Sequence, residues 1–339
     1  FARALGRSPP HAYQVWRADF DAMLFEHARE QGVDGREGAC VTGVEHVGPR
    51  AHTVEVRRED GSQYHIQTRY VVDASGRDAL LAHHGKLQRR NREHQSAALF
   101  GHFLGARRRD GEDAGNISIY NFEHGWMWMI PLRDGRMSVG AVCRPDYLKT
   151  RRGRGSEFLL ETLRLNPALW ARVAGATLVE GRMHVSGNYS YDARTLGGPG
   201  WILVGDAFAF LDPVFSSGVY LATRGAERAA EVVDAALHEP ACEARLQRRM
   251  EKHLRAGMAR FAFFIYRFNN PVMQKLFRAP RNTLQVEQGV ISMLAGDLFD
   301  TPLVKRKLHL FRFIYFCTVL ANFRAWHAEH RYRLAQARS

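Results

Sequence analysis

Residues 201–223 read WILVGDAFAFLDPVFSSGVYLAT, and no other stretch narrows the range of possible folds as far. The apolar run ending at Gly205-Asp206 predicts a buried strand that stops at a turn. Asp212-Pro213 continues the loop, and Ser216-Ser217-Gly218 opens a helix expected over 218–237. Small residues at such a turn let the backbone approach a bound molecule closely. A helix start presents unpaired N–H groups and a positive dipole end to an anion. Asp206, directly after the strand, is placed to accept a hydrogen bond from a ribose-like or ribityl hydroxyl. Ser216 or Ser217 also reads as a plain N-cap, and Gly-Asp alone would carry no more than that. The complete string points to a cofactor.

Residues 70–81, YVVDASGRDALL, predict a second strand running through a Gly turn into a helix, with Asp73 and Ala74 at the turn. That pattern suits a phosphate or ribose but is common. The third segment is WMWMIP at 126–131. On a strand, the period of two puts Trp126, Trp128 and Ile130 on one face. Two neighbouring indoles there form either a rigid apolar wall or an ordinary core pair.

Elsewhere the pattern predicts a helix over 13–31, strands at 40–47, 53–57 and 64–68, a meander of strands at 117–122, 126–132 and 136–143, and a helix pair over 157–173 around Pro167. A loop is expected at 197–200. From 242 onward the chain reads helical and basic. Its longest apolar stretch, 308–326, is broken by Arg312 and Arg324 and reads as a buried or interfacial helix, too charged to span a membrane.

Forty-eight Lys+Arg against 35 Asp+Glu give a net charge of +13, and 45% of the 339 residues are hydrophobic. That composition excludes a disordered or collagen-like chain. Four dispersed cysteines without a CxxC pair argue against a disulfide scaffold and for a reducing, cytoplasmic setting. The arginine clusters at 89–90, 107–109, 151–152 and 248–249 read as solvated faces or as a surface for an acidic partner. No nucleic-acid motif accompanies them, so no nucleic-acid partner is expected. No metal-ligand spacing and no GxSxG elbow occur, so neither a metal site nor a hydrolase is expected.

Taken together, GDAFAFLDPVFSSGVYLA, DASGRDALLA and WMWMIP resemble the flavin-dependent halogenases, nearer the branch acting on phenols and pyrroles than the free-tryptophan branch. YQVWRADFDAMLFEHA and SMLAGDLFD extend the likeness over most of the chain. The resemblance implies an α/β fold: a Rossmann-like FAD-binding domain of the aromatic-hydroxylase type, an antiparallel β substrate domain and a helical C-terminal region. The expected division is 1–85 and 196–240 for FAD binding, 86–195 for the substrate domain and 241–339 for the helices.

The implied chemistry belongs to secondary metabolism. FAD reduced by a separate flavin reductase, with O₂ and chloride or bromide, gives hypohalous acid, which reaches an electron-rich ring by way of a tunnel lysine. The ring is a small aromatic substrate, free or on a carrier protein. By the same resemblance Arg17, Asp73, Ala74, Gly205, Asp206 and Pro213 bind the cofactor, Ser217 and Gly218 hold halide through their amides, and Trp126, Trp128, Pro131 and Ser216 form the catalytic surroundings. The family's GxGxxG is absent here, and no lysine precedes Lys86, so the resemblance implies a chain without the family's first βαβ unit. A flavin monooxygenase or reductase of the same fold, or a non-catalytic basic binding module, are the alternative readings. A weak membrane association of the aromatic C-terminal segments is a further expectation.

Overall fold

The computed structural model of the protein describes residues 1–339 apart from 7–8, 93, 154, 188–189, 279, 281 and 339. It opens with α1 (Arg17–Glu30) and an antiparallel sheet of β1 (Ala39–Gly48), β2 (Ala51–Arg58) and β3 (Gln63–Thr68). The Asp60-Gly61 turn joins the last two strands as its sequence predicts, with the Ser62 N–H donating to the Asp60 carboxylate at 2.8 Å. Then come β4 (Val71–Asp73), α2 (Leu80–His84) and β5 (Gln88–Arg90).

The largest sheet is built from β6 (Ala97–Leu104), β7 (Ser118–Phe122), β8 (Gly125–Pro131) and β9 (Arg136–Cys143). After α3 (Pro145–Leu148), α4 (Gly155–Arg164) and α5 (Pro167–Val173), the strands β10 (Thr177–Leu178) and β11 (His184–Gly187) both return to β6. The resulting order is β10-β6-β9-β8-β7, antiparallel throughout. Pro131 fits at the end of β8 because the β7 ladder stops at Met129, so the missing N–H faces no partner.

Next come β12 (Tyr191–Ala193), β13 (Gly197–Gly198), β14 (Trp201–Leu203) and β15 (Ala209–Phe210), followed by the long α6 (Gly218–His238) and α7 (Glu243–Ile265). The expected loop at 197–200 contains β13, whose two glycines pair with Trp201 and Ile202. Two residues are too few for periodicity to reveal, and glycine argues against a strand. The remaining helices are α8 (Pro271–Arg278), α9 (Val286–Leu294), α10 (Pro302–Ala321) and α11 (Phe323–Arg338). The apolar stretch 308–326 is therefore two helices, interrupted at Asn322.

Strand β8 is the wall between two cores. Trp126 and Trp128 face one, with α6 to α10; Met127 and Met129 face the other, with α4 and α5. On α10 the residues Val304, Leu308, Phe311, Tyr315 and Val319 form the buried stripe, while Phe313, Phe316 and Leu320 stay exposed. Burying a side chain of the Leu or Phe type contributes about 1.5–3 kcal/mol, so these stripes set how the helices dock. Among the described residues, no helix is long and apolar enough to cross a membrane.

Candidate flavin and halide site

Strand β14 runs parallel to β4, with Ile202 beside Val72 and Leu203 beside Asp73. The two strand–turn segments singled out by sequence, 130 residues apart in the chain, thus end side by side at the same sheet edge. The Val204 N–H donates to the Asp73 carbonyl at 3.0 Å and locks the ends together. Ligands of open α/β sheets bind outside such carboxyl ends.

The Asp73 side chain is buried and turned inward. It accepts from the Ser75 N–H at 2.9 Å and the Leu81 N–H at 2.8 Å, so it holds the turn and the start of α2. Ala74 beside it is exposed. After β14, Gly205 takes φ +56°, a left-handed conformation that favours glycine, and an added Cβ would lie 3.1 Å from the Ala222 Cβ. This close approach is what lets α6 pack over the turn.

Asp206 is partly buried, and its carboxylate makes no hydrogen bond among the described residues. Burial pushes its pKa up, and the charges of Arg77 and Arg17 pull against that. Arg17 therefore acts electrostatically on Asp206, although it is exposed and its guanidinium is bonded to Asp21 at 2.9 and 3.0 Å.

The loop from Asp212 to Ser217 leads into α6. Pro213 begins a 3₁₀ turn over Pro213–Phe215, and Ser216 follows in the left-handed region at φ +51°. Ser217 is 6% exposed and makes no side-chain capping bond. The first amides of α6, Gly218 among them, have no partner within the helix and point out from its start.

The paired indoles lie on the neighbouring sheet, ring centroids 5.6 Å apart. The Trp128 Nε1–H donates to the Ser138 Oγ at 3.1 Å, and its ring packs on Phe100. Trp126 meets Phe268 edge to face at 6.3 Å, and Phe268 meets Phe215 in the same way at 5.9 Å. An aromatic chain thus runs from the indoles to the residue just before Ser216-Ser217. Phe100 and the His94 that pairs with Asp212 were not legible in the sequence, since neither has a local spacing to mark it.

These elements recur in solved flavoprotein structures. The myxobacterial chondrochloren halogenase CndH aligns with a TM-score of 0.72 at 30% identity, covering 90% of this chain and 76% of that one. The flavin-dependent brominase Bmp2 aligns at 0.75 and 25% identity, covering 92% and 77%. The fold is that of the FAD-dependent halogenases, as the resemblance implied. The sequence profile of the tryptophan halogenase family matches residues 3–337, and the chain belongs to that family.

Among its relatives, the tryptophan 2-halogenase of Chondromyces crocatus is 31% identical over 296 residues, which is 86% of this chain and 57% of that protein. The 1H-pyrrole-2-carbonyl-[peptidyl-carrier protein] brominase of Pseudoalteromonas luteoviolacea is 30% identical over 229 residues, 66% of this chain and 56% of that protein. The chain spans a little over half the length of these curated relatives.

Proposed function

We propose that this chain forms the flavin- and halide-facing part of an FADH2-dependent halogenase acting on an electron-rich aromatic ring. The observation that carries this reading is that Gly205-Asp206 and the α6 start lie at the end of β14, with the loop between them linked through Phe215 and Phe268 to the indole pair on the neighbouring sheet. The residues fit FAD at this end of the site: a left-handed glycine where a side chain would crowd α6, and a half-buried carboxylate free to accept from a ribityl or ribose hydroxyl. When bound, reduced FAD supplies with O₂ the oxidising equivalents that turn halide into an electrophilic halogen.

The protein's own contributions are positional. Asp206 orients the cofactor and Arg17 tempers its charge. Asp73 fixes the turn that leaves the Ala74 backbone exposed on the pyrophosphate side, and Pro213 and Ser216 shape the loop. The amides of Ser217 and Gly218 hold chloride or bromide, helped by the partial positive charge of the helix start. Trp126 and Trp128, with Pro131 closing their strand, separate the flavin side from the substrate side, which disfavours hydroxylation. The substrate is a phenol or pyrrole, and the carrier-linked pyrrole named for one relative supports a tethered form. The basic surface suits an acidic carrier protein, since complementary charge speeds docking. A separate flavin reductase supplies the reduced cofactor.

The test is to add chemically reduced FAD, O₂ and bromide with a panel of phenols and pyrroles and to follow products by mass spectrometry. Bromide-dependent brominated product is expected. Hydroxylated product alone, or no flavin binding in a fluorescence titration, would overturn the reading.

A further inference from the structure

His94 and Asp212 form a nearly buried pair, with the His94 Nε2 2.9 Å from the Asp212 Oδ2 and side-chain exposures of 14% and 2%. The other carboxylate oxygen accepts from the Val214 N–H at 3.0 Å, inside the loop that leads to Ser217. Asp212 therefore ties two things together: the loop backbone and an imidazole from the segment between β5 and β6.

His94 is itself backed by a hydrogen-bonded tyrosine. Its ring lies 4.8 Å from that of Tyr266, at the end of α7. The Tyr266 hydroxyl and the Ser190 Oγ are 3.0 Å apart, and Tyr266 also bonds to Asn91. The Asn91 N–H donates to the Ser190 carbonyl at 2.9 Å. Tyr266, tied to residues 91 and 190, thus packs against the imidazole that meets Asp212. At its far end the loop is held by Phe215 against Phe268.

We infer that His94 is a positioning residue for the halide site: its Nε2–H, donated to Asp212, sets the backbone of residues 212–218 so that the Ser217 and Gly218 amides converge. The inference rests on the halide role proposed above for those amides. It requires only an N–H donor at the Nε2 position, not imidazole chemistry. A glutamine reaches the same point with its own N–H, whereas methionine fills similar space with no donor.

The experiment compares His94→Gln and His94→Met with the wild-type chain by two measurements. The first is bromide affinity from 81Br NMR line broadening. The second is hydrogen exchange at the amides of residues 214–218. His94→Met leaves a buried carboxylate oxygen unpaired, so bromide binding should weaken about tenfold or more. Exchange over 214–218 should accelerate while the β6–β9 ladder stays protected, and His94→Gln should restore both to near the wild-type values. Unchanged protection in His94→Met, or His94→Gln as impaired as His94→Met, would overturn the inference. A wild-type chain that binds no bromide would instead refute the halide role, and the exchange measurement would still decide whether His94 orders the loop.

Discussion

Gly140 stands directly across from Trp128 on the adjacent strand, and a methyl group in place of its hydrogen would come within 2.5 Å of the indole Cζ2. The Phe100 Cβ would lie equally close on the other side. This glycine is what allows the indole to lie flat over the sheet. Gly140→Ala should therefore cost about 1–3 kcal/mol by overpacking. Thermal denaturation would report the loss, and a red shift of tryptophan emission would report the displaced ring. An unshifted spectrum with an unchanged midpoint would show that the indole is not held this way.

Asp206 supplies a test in which stability and binding move in opposite directions. Burial raises its pKa, so the folded protein holds this proton more tightly than the unfolded chain does. Stability from this group is then greatest below the ordinary carboxylate range and is lost as pH rises through the raised value. Asp206→Asn should raise the melting temperature at pH 7, with the gain fading as pH falls through the carboxylate range. FAD affinity should drop by about tenfold, the scale of one hydrogen bond to a charged group. A variant that loses both stability and affinity would contradict this account.

Gly205 should tolerate no side chain. Its left-handed φ costs an L-residue about 1–2 kcal/mol, and the new Cβ would press on Ala222 of α6. Gly205→Ala is expected to lower the denaturation midpoint and weaken flavin binding together, read by urea titration and flavin fluorescence.

Acid should destabilise the fold through histidines held neutral. His52 is fully buried beside His46, and burial with that neighbour depresses its pKa. His102 and His253 are lowered as well, chiefly by burial. Groups depressed in this way contribute stability above the ordinary histidine value that is lost as pH falls through the folded values. The urea midpoint should drop as pH falls below the ordinary histidine value of about 6.5, and His52→Gln should flatten that slope. A slope identical in wild type and variant would exclude His52 as a contributor.

Much of the local architecture was legible in the sequence because it rests on short-range rules. The strands around Asp60-Gly61, the helix pair about Pro167 and the alternation of Trp126, Met127, Trp128 and Met129 all follow from turn chemistry and period. The two strand ends at Asp73 and Gly205 were readable one at a time. Their side-by-side pairing was not, since the parallel register of β4 and β14 is set by packing between distant segments. His94 and Asp212 meet across 118 residues, and neither carries a local mark of its partner. The helix break at Asn322 was hidden because an apolar run continues across it.

The division of β8 between two cores makes the hairpin at Glu123-His124 more than a connector. A one-residue slip of the strand's register there would turn Met127 and Met129 toward α6 to α10 and both indoles toward α4 and α5. Flexible thioethers would then replace the rigid indole pair on the face toward α6 to α10. The register of β8 thus decides whether a stiff aromatic pair or two pliable side chains line that face.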